Sequence, residues 1–375
     1  MAQDDPAAAA DPVPPLSDQR ETLVRRCTAL LDGLPEAILV IGTERRVLYA
    51  NPAARDLFGP HAEGSQAVAL LRHPDEVAAL ERGFARLRDG TEPAEPVEVQ
   101  KVIAQASTES VFRMLVQPLD PASGITGLIV SLRDVSHVAE AEQQRRDFVA
   151  NVSHELRSPL TVLAGFIETL QGPAREDPGA RENFLGIMAR ETRRMTGLVN
   201  DLLSLSKVES VERMRPRTRV HLTEVLRATL AALRPQIEDA GIAVRFDDLD
   251  NAPEIPGDRD QLVQVFRNLI ENAVKYGGNG GRIDIAVTRC EVLSGVAGPA
   301  MKVTVTDYGE GIDPIHLPRL TERFYRVDTD RSRQKGGTGL GLAIVKHIVN
   351  RHRGRLTIRS ARGEGCTFAV FLPCE

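Results

Sequence analysis

The sequence lacks Trp, any CxxC or CxxH pair, a strong net charge of either sign, and a long apolar run. Its four cysteines, Cys27, Cys290, Cys366 and Cys374, are scattered, so they read as isolated reduced thiols and not as a zinc motif or a disulfide scaffold. The formal net charge is -5 and basic residues are interspersed among acids, so no nucleic-acid-binding face is expected. A membrane-spanning helix needs about 20 predominantly apolar residues. The best uncharged stretch, "ASGITGLIVSL", is shorter and carries Gly and Ser, so no transmembrane segment is expected. The opening "MAQDDPAAAADPVPP" has neither a basic n-region nor an apolar core; it reads as a disordered tail over residues 1–20 and not as a signal peptide. A cytoplasmic location is the expectation.

What remains is an ordinary globular composition, 42% hydrophobic and 26% charged over 375 residues, which predicts two to three folded domains. Residues 21–138 start with a helical pattern. "AILVI" and "RVLYA" follow as strands joined by a charged turn. "NPAARDLFG" reads as a short helix with Asn51 as N-cap and Pro52 at its first position. Three more strands, "VEVQKVI", "VFRMLVQPL" and "TGLIVSLRDVS", complete a small α/β sensor fold. Over 139–212 the strand signals stop. Apolar residues step by three and four through two long helices, broken at "QGPAREDPGA". One such hairpin cannot bury both apolar stripes, which predicts a four-helix bundle in a dimer. Over 213–375 helices and half-buried strands alternate as a two-layer α/β sandwich. The overall fold class is multidomain α+β.

The hairpin carries an oddity in "NVSHELRSPLTVL". His154 and Glu155 stand side by side, and Pro159 follows within the helix. An interior proline costs about 3 kcal/mol and removes a backbone hydrogen bond. A kink is expected within a turn of His154. A free imidazole is mostly neutral and nucleophilic at pH 7, and an adjacent carboxylate can orient the ring or take its proton.

Three polar signatures fall in the last domain. In "QVFRNLIENAVKYGG", Asn268 and Asn272 share a helix face, with Lys275 near it and Tyr276 at the helix end. That face reads equally as a cation and phosphate site or as a solvated surface. In "VTVTDYGEGID", Asp307 ends a buried strand before Gly309 and Gly311; it can accept a bond from an exocyclic amine or close an Asx turn. "GGTGLGLAIVKHIVNRH" opens a Gly-rich loop directly into an apolar helix, an arrangement suited to an anion. It is neither a P-loop nor a dinucleotide fingerprint. The basic stretch between, 314–336 around Phe324 and Tyr325, reads as a lid.

Together these signatures resemble the ATP-binding catalytic domain shared by sensor histidine kinases, Hsp90, DNA gyrase B and MutL. The matches are an N box (Asn268–Tyr276), a G1 box (Asp307–Gly311), an F box (Phe324–Arg326) and a G2 box (Gly337–Leu342). "FVANVSHELRSPLTVL" resembles an H box, and "NPAARDLFG" with "LRDVS" resembles a PAS domain. The whole array resembles a two-component sensor histidine kinase, most like the phosphate-regulon sensor kinases, whose members usually carry membrane helices. An ATP-driven clamp shares the pocket but needs no H box, and a pseudokinase scaffold needs no intact pocket.

The resemblance implies that His154 takes phosphate from ATP, Glu155 assists, and the phosphoryl group passes to an Asp of a response regulator within a homodimer. It implies Mg²⁺ on Asn272 with Asn268 contributing, Lys275 toward the phosphates, Tyr276 near the base and Asp307 on the adenine amine. Gly309, Gly311, Gly337, Thr338, Gly339, Leu340 and Gly341 would line the nucleotide. Where many relatives carry Thr or Asn, linked to regulator phosphatase activity, this chain has Ser158, which keeps a hydroxyl.

Overall fold

A computed structural model describes residues 26, 28–89, 97–105, 108–119, 126–212, 214–249, 252–291, 298–327 and 337–375. The expected tail (1–20) and Cys27 lie outside the described residues. Contacts divide the chain into two compact units, Met1–Arg146 and Asp147–Glu375. The hairpin and the α/β sandwich, expected as separate domains at 139–212 and 213–375, therefore share one unit from Asp147 onward.

The first unit is built on an antiparallel sheet of β1 (Ala37–Gly42), β2 (Val47–Ala50), β3 (Val97–Gln105), β4 (Thr108–Pro118) and β5 (Gly127–Asp134), in the order β2-β1-β5-β4-β3. Every residue of β1 is buried, as its unbroken apolar run requires. Helices α1 (Pro52–Phe58), α2 (Ala67–Leu70) and α3 (Pro74–Asp89) separate β2 from β3. Leu39, Ile41, Ala54, Leu80, Met114, Val116 and Leu128 share one core.

Asn51 is fully buried here and does more than cap α1. Its Oδ1 accepts the N–H groups of Ala54 and Ile38, each at 2.9 Å. Its Nδ2 donates to the carbonyls of Leu31 at 3.1 Å and Glu36 at 2.8 Å. One amide thus ties the preceding segment, β1 and α1 together. Asn51→Ala leaves two buried N–H groups without an acceptor, at about 1–3 kcal/mol each. The unfolding transition of the first unit in a urea melt is expected to lose about 2–4 kcal/mol, and a loss under about 0.5 kcal/mol would contradict this account.

The second unit starts inside α4 (Ser136–Gln171), which pairs with α5 (Pro178–Val211). Asp177 caps α5 by accepting the Ala180 N–H at 3.0 Å, with Pro178 at its first position. Phe166 and Phe184 stack at 4.9 Å across the hairpin. Pro159 is buried within α4, which remains helical through it.

Beyond the hairpin lie the short paired strands β6 (Arg219–Val220) and β8 (Ile255–Pro256), and a five-stranded sheet. The sheet contains β7 (Ala243–Asp247), β9 (Arg282–Cys290), β10 (Ala300–Asp307), β11 (Arg355–Ala361) and β12 (Gly365–Pro373), in the order β11-β12-β10-β9-β7. Only β7 and β9 pair in parallel within it. Helices α6 (Leu222–Asp239), α7 (Arg259–Gly277) and α8 (Gly341–Arg351) supply the second layer. The alternation seen in "RIDIAVT" is real burial, with Ile283, Ile285 and Val287 facing Phe266, Leu269 and Ile344 in one core.

Candidate functional site

The N-terminus of α7 is set by Asp258, whose Oδ1 accepts the Gln261 N–H at 3.2 Å. The helix then buries Leu262, Val265, Phe266, Leu269, Ile270 and Ala273. Helical periodicity forces Asn268, Asn272 and Lys275 to the other side, where they are half-buried. That side forms one wall of a cleft of about 620 Å³. Asn268, Asn272, Lys275, Tyr276, Asp307, Gly311, Gly337, Thr338, Gly339 and Gly341 all line it. Gly309 and Leu340 do not; Gly309 packs against the end of α7, and Leu340 is in the core.

Asp307 is delivered by the last residue of β10 and is only 6% exposed. Burial pushes its carboxyl pKa up, although its carboxylate accepts the Gly309 N–H at 3.1 Å. Gly277 makes room for it, since a Cβ there would lie 2.3 Å from the Asp307 Cβ. The Gly-rich loop is pinned from both sides. Asn268 Nδ2 donates to the Gly341 carbonyl at 3.3 Å, and the Phe324 N–H donates to the Gly339 carbonyl at 2.9 Å. Gly339 sits at φ 73°, a conformation that disfavours a side chain, and its added Cβ would meet Phe324 Cα at 2.8 Å.

The far ends of α7 and α8 are joined by His352, which is completely buried. Its Nε2 accepts the Asp258 N–H at 3.0 Å and its Nδ1 donates to the Ile348 carbonyl at 2.7 Å. Burial lowers its pKa, which keeps the ring neutral. The unfolded chain therefore binds the extra proton first, and stability is lost as pH falls below the ordinary value of 6.5. Thermal unfolding of the sandwich between pH 7 and pH 5 is expected to show this loss, with a flatter profile in His352→Gln.

His154 is exposed on α4 and does not line the cleft. Ser158 is exposed one turn later. Glu155 is turned toward the cleft margin, where one oxygen accepts from Arg194 at 2.9 Å and from Arg326 at 3.2 Å. Both arginines line the cleft. Of the 314–336 stretch, residues 314–327 are described and 328–336 are not. Its visible part is held by contacts, among them His316 to the Tyr325 hydroxyl at 2.7 Å and Phe324 against Phe148 at 5.9 Å. Arg193, Arg194, Asn200 and Asp201 of the hairpin also line the cleft, and no local pattern marked them.

Three family profiles match the chain. Residues 31–140 match a PAS fold, 144–211 a His Kinase A (phospho-acceptor) domain, and 257–375 a histidine kinase-, DNA gyrase B- and HSP90-like ATPase. The chain is 37% identical over 363 residues to the phosphate regulon sensor protein PhoR of Pseudomonas aeruginosa, covering 95% of this chain and 76% of that protein. It belongs to the two-component sensor histidine kinases. The kinase is also 33% identical to the sensor protein kinase WalK of Staphylococcus epidermidis, spanning 56% of WalK's length. A solved complex of histidine kinase ThkA with response regulator protein TrrA aligns over 92% of the kinase and 98% of that chain, at 23% identity and a TM-score of 0.49. Residues 257–375 are thus an ATP-binding domain of the histidine kinase type. Among the described residues no helix is long and apolar enough to cross a membrane.

Proposed function

We propose that the kinase phosphorylates its own His154 from ATP held in the 620 Å³ cleft, then passes the phosphoryl group to an Asp of a response regulator. The observation that carries this reading is the convergence on one cleft of the α7 amides, buried Asp307 and the Gly-rich loop, beside a hairpin that bears His154.

In this reading Asp307 accepts the exocyclic amine of adenine, Tyr276 covers the base, and Lys275 with the loop from Gly337 to Gly341 faces the phosphates. Magnesium ion is held by Asn272 and Asn268. The Asn268 amide nitrogen is committed to Gly341, which leaves its oxygen for a cation. Amide oxygens are neutral, so this donor set suits an ion that arrives with phosphate charge, and the ion would neutralise that charge. The imidazole nitrogen forms the N–P bond as the bond from Pγ to the ADP oxygen breaks, and the ring proton leaves to Glu155 or water. His154 stands outside the cleft and Glu155 is tied to two guanidiniums, so transfer follows re-docking of the ATP-binding domain on the hairpin.

The hairpin leaves Val149, Leu160, Ile167, Leu185 and Leu203 exposed, a stripe suited to a second copy in a four-helix bundle. Ser158 supports a phosphatase role, its hydroxyl placed a turn beyond His154 to orient water on the phospho-regulator. Incubation with γ-labelled ATP and Mg²⁺ tests the reading. Acid-labile, base-stable label that moves to a regulator supports it, and ATP turnover with no such label overturns it.

A further inference from the structure

The hairpin does not merely border the cleft; its carboxylates occupy the groups best suited to bind phosphate. Asp201 on α5 accepts a hydrogen bond from Thr338 Oγ1, in the Gly-rich loop, at 2.7 Å. Glu155 on α4 takes both Arg194 and Arg326. A hydroxyl and two guanidiniums that line the cleft are thereby bonded to anions belonging to the chain itself. Burial raises the Asp201 carboxyl pKa and Glu271 adds to the rise, while the Thr338 hydrogen bond, Arg267 and Lys275 oppose it.

We propose that Asp201 sets the ATP affinity of the kinase by standing in for phosphate at the Gly-rich loop, so that the docked hairpin and the nucleotide's terminal phosphates exclude each other. The inference rests on reading the cleft as the ATP site. The Thr338 hydroxyl has one proton to donate and cannot serve both anions. A triphosphate at the loop would also face the Asp201 carboxylate across a few ångströms of partly desolvated space, where like charges repel strongly. The coupling is reciprocal: docking weakens ATP binding by the factor that ATP weakens docking. Contacts outside the cleft fasten the same arrangement. Arg323 Nη2 meets Glu209 at 2.6 Å and lies over the Phe148 ring, and His347 Nδ1 meets Glu212 at 2.8 Å.

Calorimetric titration of the full chain with a non-hydrolysable ATP analogue and Mg²⁺, and separately with adenosine, tests the exclusion. Asp201→Asn keeps the shape and an acceptor oxygen but removes the charge. It is expected to tighten the triphosphate by about 5-fold or more, the low end of measured site couplings, and to leave adenosine unchanged. If that variant does not fold, Arg323→Gln carries the same test from outside the cleft, with the same selective tightening expected. Triphosphate affinity that is unchanged or weaker, while wild type binds normally, overturns the exclusion and leaves the ATP site standing. Equal tightening of adenosine and triphosphate also overturns it, because a general loosening would then explain the gain. Failure of wild type and variant alike to bind either compound overturns the reading of the cleft itself.

Discussion

His154→Ala is expected to bring acid-labile, base-stable labelling from γ-labelled ATP down to background, while ATP binding survives. The separation is the point of the experiment. His154 is exposed on α4 and lies outside the cleft, so removing its ring deletes the proposed nucleophile without touching the cleft wall. An exposed side chain contributes little packing, so the melting temperature should hold. Persistent phosphohistidine in the variant would move the acceptor to another residue. Loss of ATP binding together with label would mean that the hairpin shapes the cleft through His154, which its exposure argues against.

Asp307→Asn is expected to weaken ATP binding by about 30- to 1,000-fold, or roughly 2–4 kcal/mol, the range for breaking one partner of a buried charged hydrogen bond. The substitution replaces an acceptor by an amide that can present a donor to the adenine amine. It keeps an oxygen for the Gly309 N–H, so the strand end and loop have what they need to fold. Burial raises the Asp307 pKa, so the ionised acceptor is lost at a higher pH than for an ordinary carboxylate, and ATP affinity should begin to fall above the usual carboxylate range as pH drops. GTP, which presents a carbonyl where ATP presents the amine, should lose far less. An ATP affinity within 2-fold of wild type would remove Asp307 from base recognition.

Much of this was legible in the chain because the signals are local. The α7 repeat separates its core residues from Asn268, Asn272 and Lys275 by helix geometry alone. Asn51 announces a helix start by residue type, and alternation in β9 and β10 fixes which side chains enter the core. The buried, multiply bonded state of Asn51 was not legible, because its extra partners come from β1 and the segment before it, 13 to 20 positions away. The hairpin's share of the cleft was hidden for the same reason. Asp201 and Thr338 are 137 positions apart, and Glu155 and Arg326 are 171 apart, so only docking brings them together. Proline chemistry predicts a kink near His154, and Pro159 is buried within α4, which runs as one helix from Ser136 to Gln171. Residue type alone does not sort the glycines by role. The fold divides them between cleft wall (Gly311, Gly337, Gly339, Gly341) and close packing (Gly277, Gly309).

That close packing has a consequence for inhibitor resistance. Gly277 and Gly309 touch each other's backbone and the Asp307 side chain, and any added Cβ would lie within 2.3–2.8 Å of one of them. If Asp307 reads adenine as proposed, a compound that reads it in the same way would rest on a floor whose supporting positions cannot enlarge without displacing that carboxylate. Escape by filling the pocket from beneath is closed at these two positions. Resistant variants should arise instead at other positions of the cleft wall, such as Arg193 and Arg194 of the hairpin.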